Sequence, residues 1–289
     1  MQTRRLGRTG HHSSVAICGG IAFHFTESRE EADALLDRFL DAGVNHLDIA
    51  PQYGTAQQKA GAVLGRARDA MFVACKTLRK NRDGVRAQLE ESLTLLGCDH
   101  FDLYQLHAVT SVAELDARAE AMAAVMQARD EGLCRFVGVT GHDLGAPAAH
   151  AEAIRRYDVD TVMFPVFPRV WSEVAYRRDA DALLALATER DVGVMAIKAV
   201  AARPWGERDH TATTWYEPYE ASAAVTRGVR FALSTPPVTG FCTPGDLRVL
   251  QTALDAAESF EPLDEPGRRA AIEEVAGEPL IFPMATATA

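Results

Sequence analysis

Positive charge is in short supply: 30 Lys and Arg residues stand against 40 Asp and Glu, a formal net charge of −10 at pH 7. That balance excludes nucleic acid or an anionic membrane surface as the main partner, since both select a cationic face. It does not exclude a small anionic ligand, because local charge decides that case. No C-x-x-C pair occurs, and the five cysteines (Cys18, Cys75, Cys98, Cys134 and Cys242) are odd in number. A disulfide framework is therefore not expected, and the cytoplasm is the expected compartment. The basic start MQTRRLGRTGHH lacks a following apolar run of signal-peptide type. No run of about 18 apolar residues suggests a membrane span. The histidines form no H-E-x-x-H or similar spacing, so no metal site is expected, and His11-His12 reads as a solvated turn.

What is present is a regular alternation. Short β-rich runs fall at Val15–Cys18, His46–Ala50, Met71–Thr77, Phe101–His107, Cys134–Thr140, Thr161–Val166, Gly193–Val200 and Val238–Cys242. Segments with helical spacing lie between them. From Ser28 to Ala42, residues Ala32, Leu35, Leu36, Phe39 and Leu40 share one face; Ser28 with Glu31 reads as a capping box and Gly43 as the stop. A later helix places Val85, Leu89, Leu93 and Leu96 at helical steps. Further helices are expected near 111–131, 145–157, 178–190, 221–233 and 245–259.

Alternating strands and helices give either a doubly wound sheet or a (β/α)8 barrel. The turn after the first strand, ICGGIAF, lacks the G-x-G-x-x-G spacing of a nucleotide-binding doubly wound sheet. The expectation is one α/β (β/α)8 TIM barrel spanning 1–289. Residues 2–6 and 11–16 read as a hairpin around the turn GRTG, and 261–289 as a tail with a short helix near 268–275. The final Ala-Thr residues are expected to fray.

Three successive strands end in residues that move or steer protons: Asp48 and Tyr53 in GVNHLDIAPQYG, Lys76 in FVACKT, and His107 in DLYQLHA. Lys76 sits in an apolar strand, where an unpaired ammonium is costly, so it needs a carboxylate, and Asp48 is the natural partner. A buried lysine cation is expected to lower the pKa of the neighbouring Tyr53 phenol from its usual value of about 10. Tyr53 would then serve as a general acid, with His107 orienting a carbonyl. Cys75 alternates with Lys76 and is expected to face away as inert core.

This quartet resembles the Asp-Tyr-Lys-His tetrad of the aldo-keto reductases, and the resemblance, to a divergent bacterial-type member, runs from RRLGRTG through the eighth helix. It implies reversible reduction of aldehydes or ketones to alcohols by hydride from a nicotinamide cofactor held across the barrel mouth. NADP(H) is implied more strongly than NAD(H). Cofactor contacts implied by the resemblance are Gly20 and Ile21 after the first strand, Asp48, and Thr140 in GVTGHD. Gly141 there replaces the usual Asn, with His142 as compensation. Met163 stands at a usual Gln and Lys198 at a usual aromatic. After the eighth strand, Gly240, Phe241, Thr243 and Gly245 lead into a helix N-terminus suited to phosphate. Arg248 is the nearest cation for a 2′-phosphate. For substrate, Phe23, Tyr53, His107, Trp215 and Tyr216 are the candidates, the last two in the long segment after the seventh strand. A second reading is a barrel that binds nicotinamide as a sensor or as an assembly subunit. A third, a metal-dependent hydrolase, lacks a ligand cluster in the sequence.

Overall fold

The computed structural model describes residues 1–283; the expected fraying of the final Ala-Thr residues concerns positions outside these. Two short strands open the chain. β1 (Thr3–Arg5) pairs antiparallel with β2 (His12–Ser14), and the turn between them sends Leu6 into the base of the barrel. There Leu6 is fully buried and begins the cluster that fills the barrel, with Ile17, Phe72, Ala74, Leu103, Met163, Met195 and Ile197. The hairpin expected from the sequence is thus the barrel's bottom plug.

The barrel consists of β3 (Ala16–Gly19), β4 (His46–Asp48), β5 (Phe72–Thr77), β6 (Phe101–Leu106), β7 (Cys134–Thr140), β8 (Thr161–Pro165), β9 (Gly193–Ile197) and β12 (Val238–Cys242). All neighbours pair in parallel, and β12 pairs with both β3 and β9, which closes the ring and leaves no edge strand. An antiparallel ribbon, β10 (Ala201–Arg203) with β11 (Glu217–Pro218), interrupts the series. The helices are α1 (Arg29–Asp41), α2 (Ala56–Leu64), α3 (Arg82–Leu96), α4 (Val112–Ala117), α5 (Ala119–Asp130), α6 (Ala146–Tyr157), α7 (Pro168–Trp171), α8 (Val174–Glu189), α9 (Ser222–Leu233), α10 (Leu247–Glu258) and α11 (Glu265–Val275).

Local sequence sets these elements. Ser28 caps α1 by accepting the Glu31 amide at 3.1 Å, and the Glu31 carboxylate reaches back to the Glu27 amide at 2.7 Å. Gly43 follows with φ +76°, a conformation glycine adopts without steric cost. Ala32, Leu35, Leu36 and Phe39 of α1 are buried, each large side chain contributing roughly 1.5–3 kcal/mol of transfer free energy.

Two departures from the periodicity have visible causes. The helix expected over 111–131 breaks at Arg118 (φ −115°, ψ 20°) into α4 and α5. The fully buried Arg118 guanidinium donates inward to the carbonyls of His107, Thr77 and Arg79. The strand expected to reach Val200 stops at Ile197, because Lys198 takes the left-handed conformation at φ +66°. The helix expected at 178–190 starts earlier, at Val174, and α11 starts at Glu265.

Candidate active site

The C-terminal ends of the strands open on a cleft lined by Asp48, Tyr53, Lys76 and His107 together. Parallel strands place every C-terminus at the same mouth, which is how residues far apart in sequence converge. Lys76 Nζ lies 2.5 Å from Asp48 Oδ2, with both side chains almost wholly buried. Gln105 Nε2 donates to the other Asp48 oxygen at 3.3 Å. Lys76 Nζ also lies 3.5 Å from the Tyr53 hydroxyl and 5.2 Å from its ring centre. Asp48 holds the ammonium charged in spite of burial, and its pKa is raised above the ordinary lysine value.

The expected lowering of the Tyr53 pKa is not found. Burial dominates and pushes the phenol up to about 12; Lys76 pulls it down, but Asp48, which neutralises that charge, pushes it up. The hydroxyl is therefore protonated throughout the neutral range.

His107 Nδ1 lies 3.1 Å from Gln52 Oε1, and the ring stands edge-on to Tyr53 at 6.1 Å between centres. Burial, reinforced by Lys76, Arg118 and Lys198, holds its pKa well below the usual range, so the ring is neutral. Whether its other nitrogen can donate to a ligand depends on which end of the Gln52 amide faces Nδ1, so Gln52 sets the tautomer. Arg118 fixes the backbone beneath His107.

The remaining sequence candidates divide. Ile21, Thr140, His142, Met163, Lys198, Thr243, Gly245, Trp215 and Tyr216 line the same cleft. Gly20, Phe23, Gly240 and Phe241 do not: Phe23 and Phe241 are core side chains, and Gly240 packs against the carbonyls of Ser14 and Val15. Gly20 lies against Ile49. Thr243 spends its hydroxyl on the Gly19 amide at 3.0 Å. Arg248 is exposed yet engaged, donating to Asp246 at 3.1 Å and to the Thr211 carbonyl at 2.5 Å. Asp246 caps α10 through the Arg248 amide and also accepts the Thr213 amide. The helix N-terminus expected to receive a phosphate thus already carries a carboxylate.

Sequence reasoning missed Gln52, Gln105 and Cys242. Cys242 Sγ lies 3.6 Å from Asp48 Oδ2 and 3.9 Å from Met163 Sδ, and burial raises its thiol pKa well above the ordinary value. The strand alternation that placed Cys75 in the outer core, with a thiol pushed up to about 12, places Cys242 at the cleft. Gln52 and Gln105 sit one residue before Tyr53 and two before His107, and no motif distinguishes them.

Comparison with known proteins agrees with this geometry. The family model described as "Aldo/keto reductase family" matches residues 17–219. Among curated relatives, the uncharacterized oxidoreductase YqkF of Bacillus subtilis is 27% identical over 185 residues, covering 58% of each chain. D-threo-aldose 1-dehydrogenase of a Pseudomonas species is 30% identical over 172 residues, 47% of this chain and 50% of the relative. Methylglyoxal reductase DkgA of Salmonella typhimurium is 30% identical over 114 residues, 39% of this chain and 41% of the relative. The chain spans about half the length of the curated relatives it matches. Among solved structures, the holo form of aldo-keto reductase AKR11C1 from Bacillus halodurans superposes with a TM-score of 0.73 at 20% identity, covering 96% of both chains. The thermostable aldo-keto reductase Tm1743 with the inhibitor epalrestat gives 0.69 at 20% identity, covering 94% of this chain and 99% of that one. With its closed barrel and a family match over more than half its length, the chain belongs to the aldo/keto reductase family.

Proposed function

We propose that the protein reduces aldehydes or ketones to alcohols with a reduced nicotinamide dinucleotide, Tyr53 acting as the general acid. The observation that carries this reading is the Tyr53 hydroxyl beside the buried Lys76–Asp48 pair, with neutral His107 in the same cleft. Relatives named for methylglyoxal reduction and aldose dehydrogenation support the same chemistry in its two directions.

The cleft suits a nicotinamide in one respect: Thr140 Oγ1 and His142 Nδ1 are buried polar atoms without a partner among the described residues, and both residues line it. A carboxamide, which donates and accepts, satisfies such a pair. When bound, nicotinamide supplies the hydride. Tyr53 donates its proton to the carbonyl oxygen as alkoxide character develops there. A phenol with a pKa of about 12 is fully protonated at neutral pH and is still a far stronger acid than the alcohol formed. Lys76 stabilises the resulting phenolate, and Asp48 keeps Lys76 charged and in place. The reverse direction would use the Tyr53 phenolate as the base that takes the alcohol proton. NADP(H) preference rests on the family, because Arg248 reaches a 2′-phosphate only by releasing Asp246 and the Thr211 carbonyl.

Tyr53→Phe removes one hydroxyl and keeps the ring. Single-turnover reduction at saturating NADPH or NADH should fall by at least about 10²–10⁴-fold with cofactor affinity retained. A variant that reduces carbonyls at the wild-type rate removes Tyr53 as the acid. It would instead favour a nicotinamide-binding barrel with a sensor or subunit role.

A further inference from the structure

Pro51 and Gln52 form the middle of a turn in which the Tyr53 amide donates to the Ala50 carbonyl at 3.1 Å. Proline at the first central position of a turn fixes φ, so the turn that presents Tyr53 to the cleft presents Gln52 in a set direction as well. The Gln52 side chain is exposed and makes one hydrogen bond among the described residues, to His107 Nδ1 at 3.1 Å. His107 Nε2 has no partner among those residues, and the ring lines the cleft together with Tyr53.

His107 has a single ring proton to place. Burial disfavours a second, and the charges of Lys76, Arg118 and Lys198 disfavour it further. The rings packed against it are Tyr53 and His142, and burial keeps His142 neutral too. A neutral imidazole donates at one nitrogen and accepts at the other. The partner at Nδ1 therefore decides what Nε2 offers the cleft. With the Gln52 oxygen there, the proton sits on Nδ1 and Nε2 has only a lone pair. With the amide nitrogen there, Nδ1 accepts and Nε2 carries the proton. A half-turn of the amide exchanges the two arrangements, and no other hydrogen bond of that side chain opposes it among the described residues. A carbonyl oxygen accepts and cannot donate, so only the second arrangement lets Tyr53 and His107 both donate to it.

We infer that Gln52 is a positioning residue of the reaction: with its amide nitrogen turned to Nδ1, it keeps the ring proton of His107 on Nε2, where it gives the carbonyl oxygen a second donor beside that of Tyr53. The inference rests on the carbonyl-reductase reading and deepens it. Gln52 itself stays outside the cleft lining and acts only through the imidazole.

The test compares Gln52→Glu with Gln52→Leu in the full chain. Glutamate has the size of glutamine, but its carboxylate only accepts, so it draws the proton to Nδ1 and leaves Nε2 bare. Leucine leaves both tautomers open. With NADPH or NADH saturating and 4-nitrobenzaldehyde varied, kcat should fall roughly tenfold or more in Gln52→Glu, the worth of about one hydrogen bond, and less in Gln52→Leu. A residue that merely packs gives the opposite order, since leucine is the greater change. The added carboxylate also raises the His107 pKa, and below it both ring nitrogens carry protons. The activity of Gln52→Glu should therefore recover as pH falls, with no such gain in the wild type. In a His107→Gln background neither substitution should have a further effect. Nitrogen-15 NMR of histidine-labelled protein, with the His107 signals identified by their loss in His107→Gln, follows the tautomer without turnover. It should find Nε2 protonated in the wild type and Nδ1 protonated in Gln52→Glu. A wild type protonated at Nδ1, an unchanged tautomer in Gln52→Glu, or leucine as the more damaging substitution would overturn the assignment. If the wild type reduces no carbonyl compound, the carbonyl-reductase reading fails by itself, and the NMR comparison alone judges Gln52. A proton that moves from Nε2 to Nδ1 in Gln52→Glu then supports the assignment, and one that stays rejects it.

Discussion

Single residues in the cleft act through neighbours of opposite charge, and their chemistry follows from the pairing. Lys76 and Asp48 are almost fully buried and 2.5 Å apart, so Asp48 keeps Lys76 charged. Lys76→Met leaves a carboxylate with a Gln105 contact and no cation. Breaking a buried pair on one side typically costs about 3–5 kcal/mol, whereas replacing both partners with apolar or neutral groups is often close to neutral. Urea denaturation should therefore find Lys76→Met markedly less stable than the wild type, and Lys76→Met with Asp48→Asn substantially recovered. A double variant no better than the single one would show that the pair is not the source of the loss. Asp48, Tyr53, Lys76 and His107 were legible in the sequence because each ends or follows an apolar run, and strand ends converge. The direction of the Tyr53 shift was not. It depends on burial and on how completely Asp48 cancels Lys76, which are properties of the assembled cleft. The surroundings of Arg248 were hidden for a related reason: its spacing from the eighth strand was visible, but its contacts with Asp246 and Thr211 were not.

At the scale of elements, the alternation of strand and helix was readable from period alone, and the stops that were missed are places where a side chain overrules the period. Arg118 has good helix propensity, yet three backbone carbonyls draw its guanidinium inward and break the helix there. The β10–β11 ribbon was missed because two- and three-residue strands leave no periodic trace. The loop after β7 is constrained in a different way. A Cβ built on Gly141 would lie 2.1 Å from the Val109 carbonyl oxygen and 2.6 Å from His150 Nε2. The chain cannot carry the family's usual Asn there without moving backbone. Gly141→Asn should cost at least about 1–3 kcal/mol, the range for overpacking a filled site, and lower the melting temperature. Adding His150→Ala should not restore it, since the closer clash is with main chain. Full recovery in that double variant would instead assign the clash to His150.

The molecule as a whole carries an acid liability. The pKa values of His46, His107 and His142 are held well below the usual range, and that of His150 falls to about 3, burial being the largest cause in each case. In the unfolded chain these imidazoles take up protons near pH 6.5. Below that pH the unfolded state binds more protons than the folded one, so stability falls as pH falls through 6.5 toward the folded values. Each such group can contribute up to about 1.4 kcal/mol per pH unit in that window. Unfolding free energy should drop steeply between pH 7 and 5, and His150→Phe should show a shallower slope. Identical slopes in the two proteins would mean that His150 is protonated in the fold without penalty.

One further consequence follows from the barrel's interior. Met163 and Ile197 belong both to the small cluster that fills the barrel and to the lining of the cleft. The floor on which a ligand rests and the packing that keeps the strands in a ring are therefore the same atoms. Adaptation of this protein to a new substrate has little freedom at depth, where enlarging the pocket also hollows the core. Its freedom lies at the rim, in the segment bearing Trp215, where side chains can be exchanged while the ring of strands stays intact.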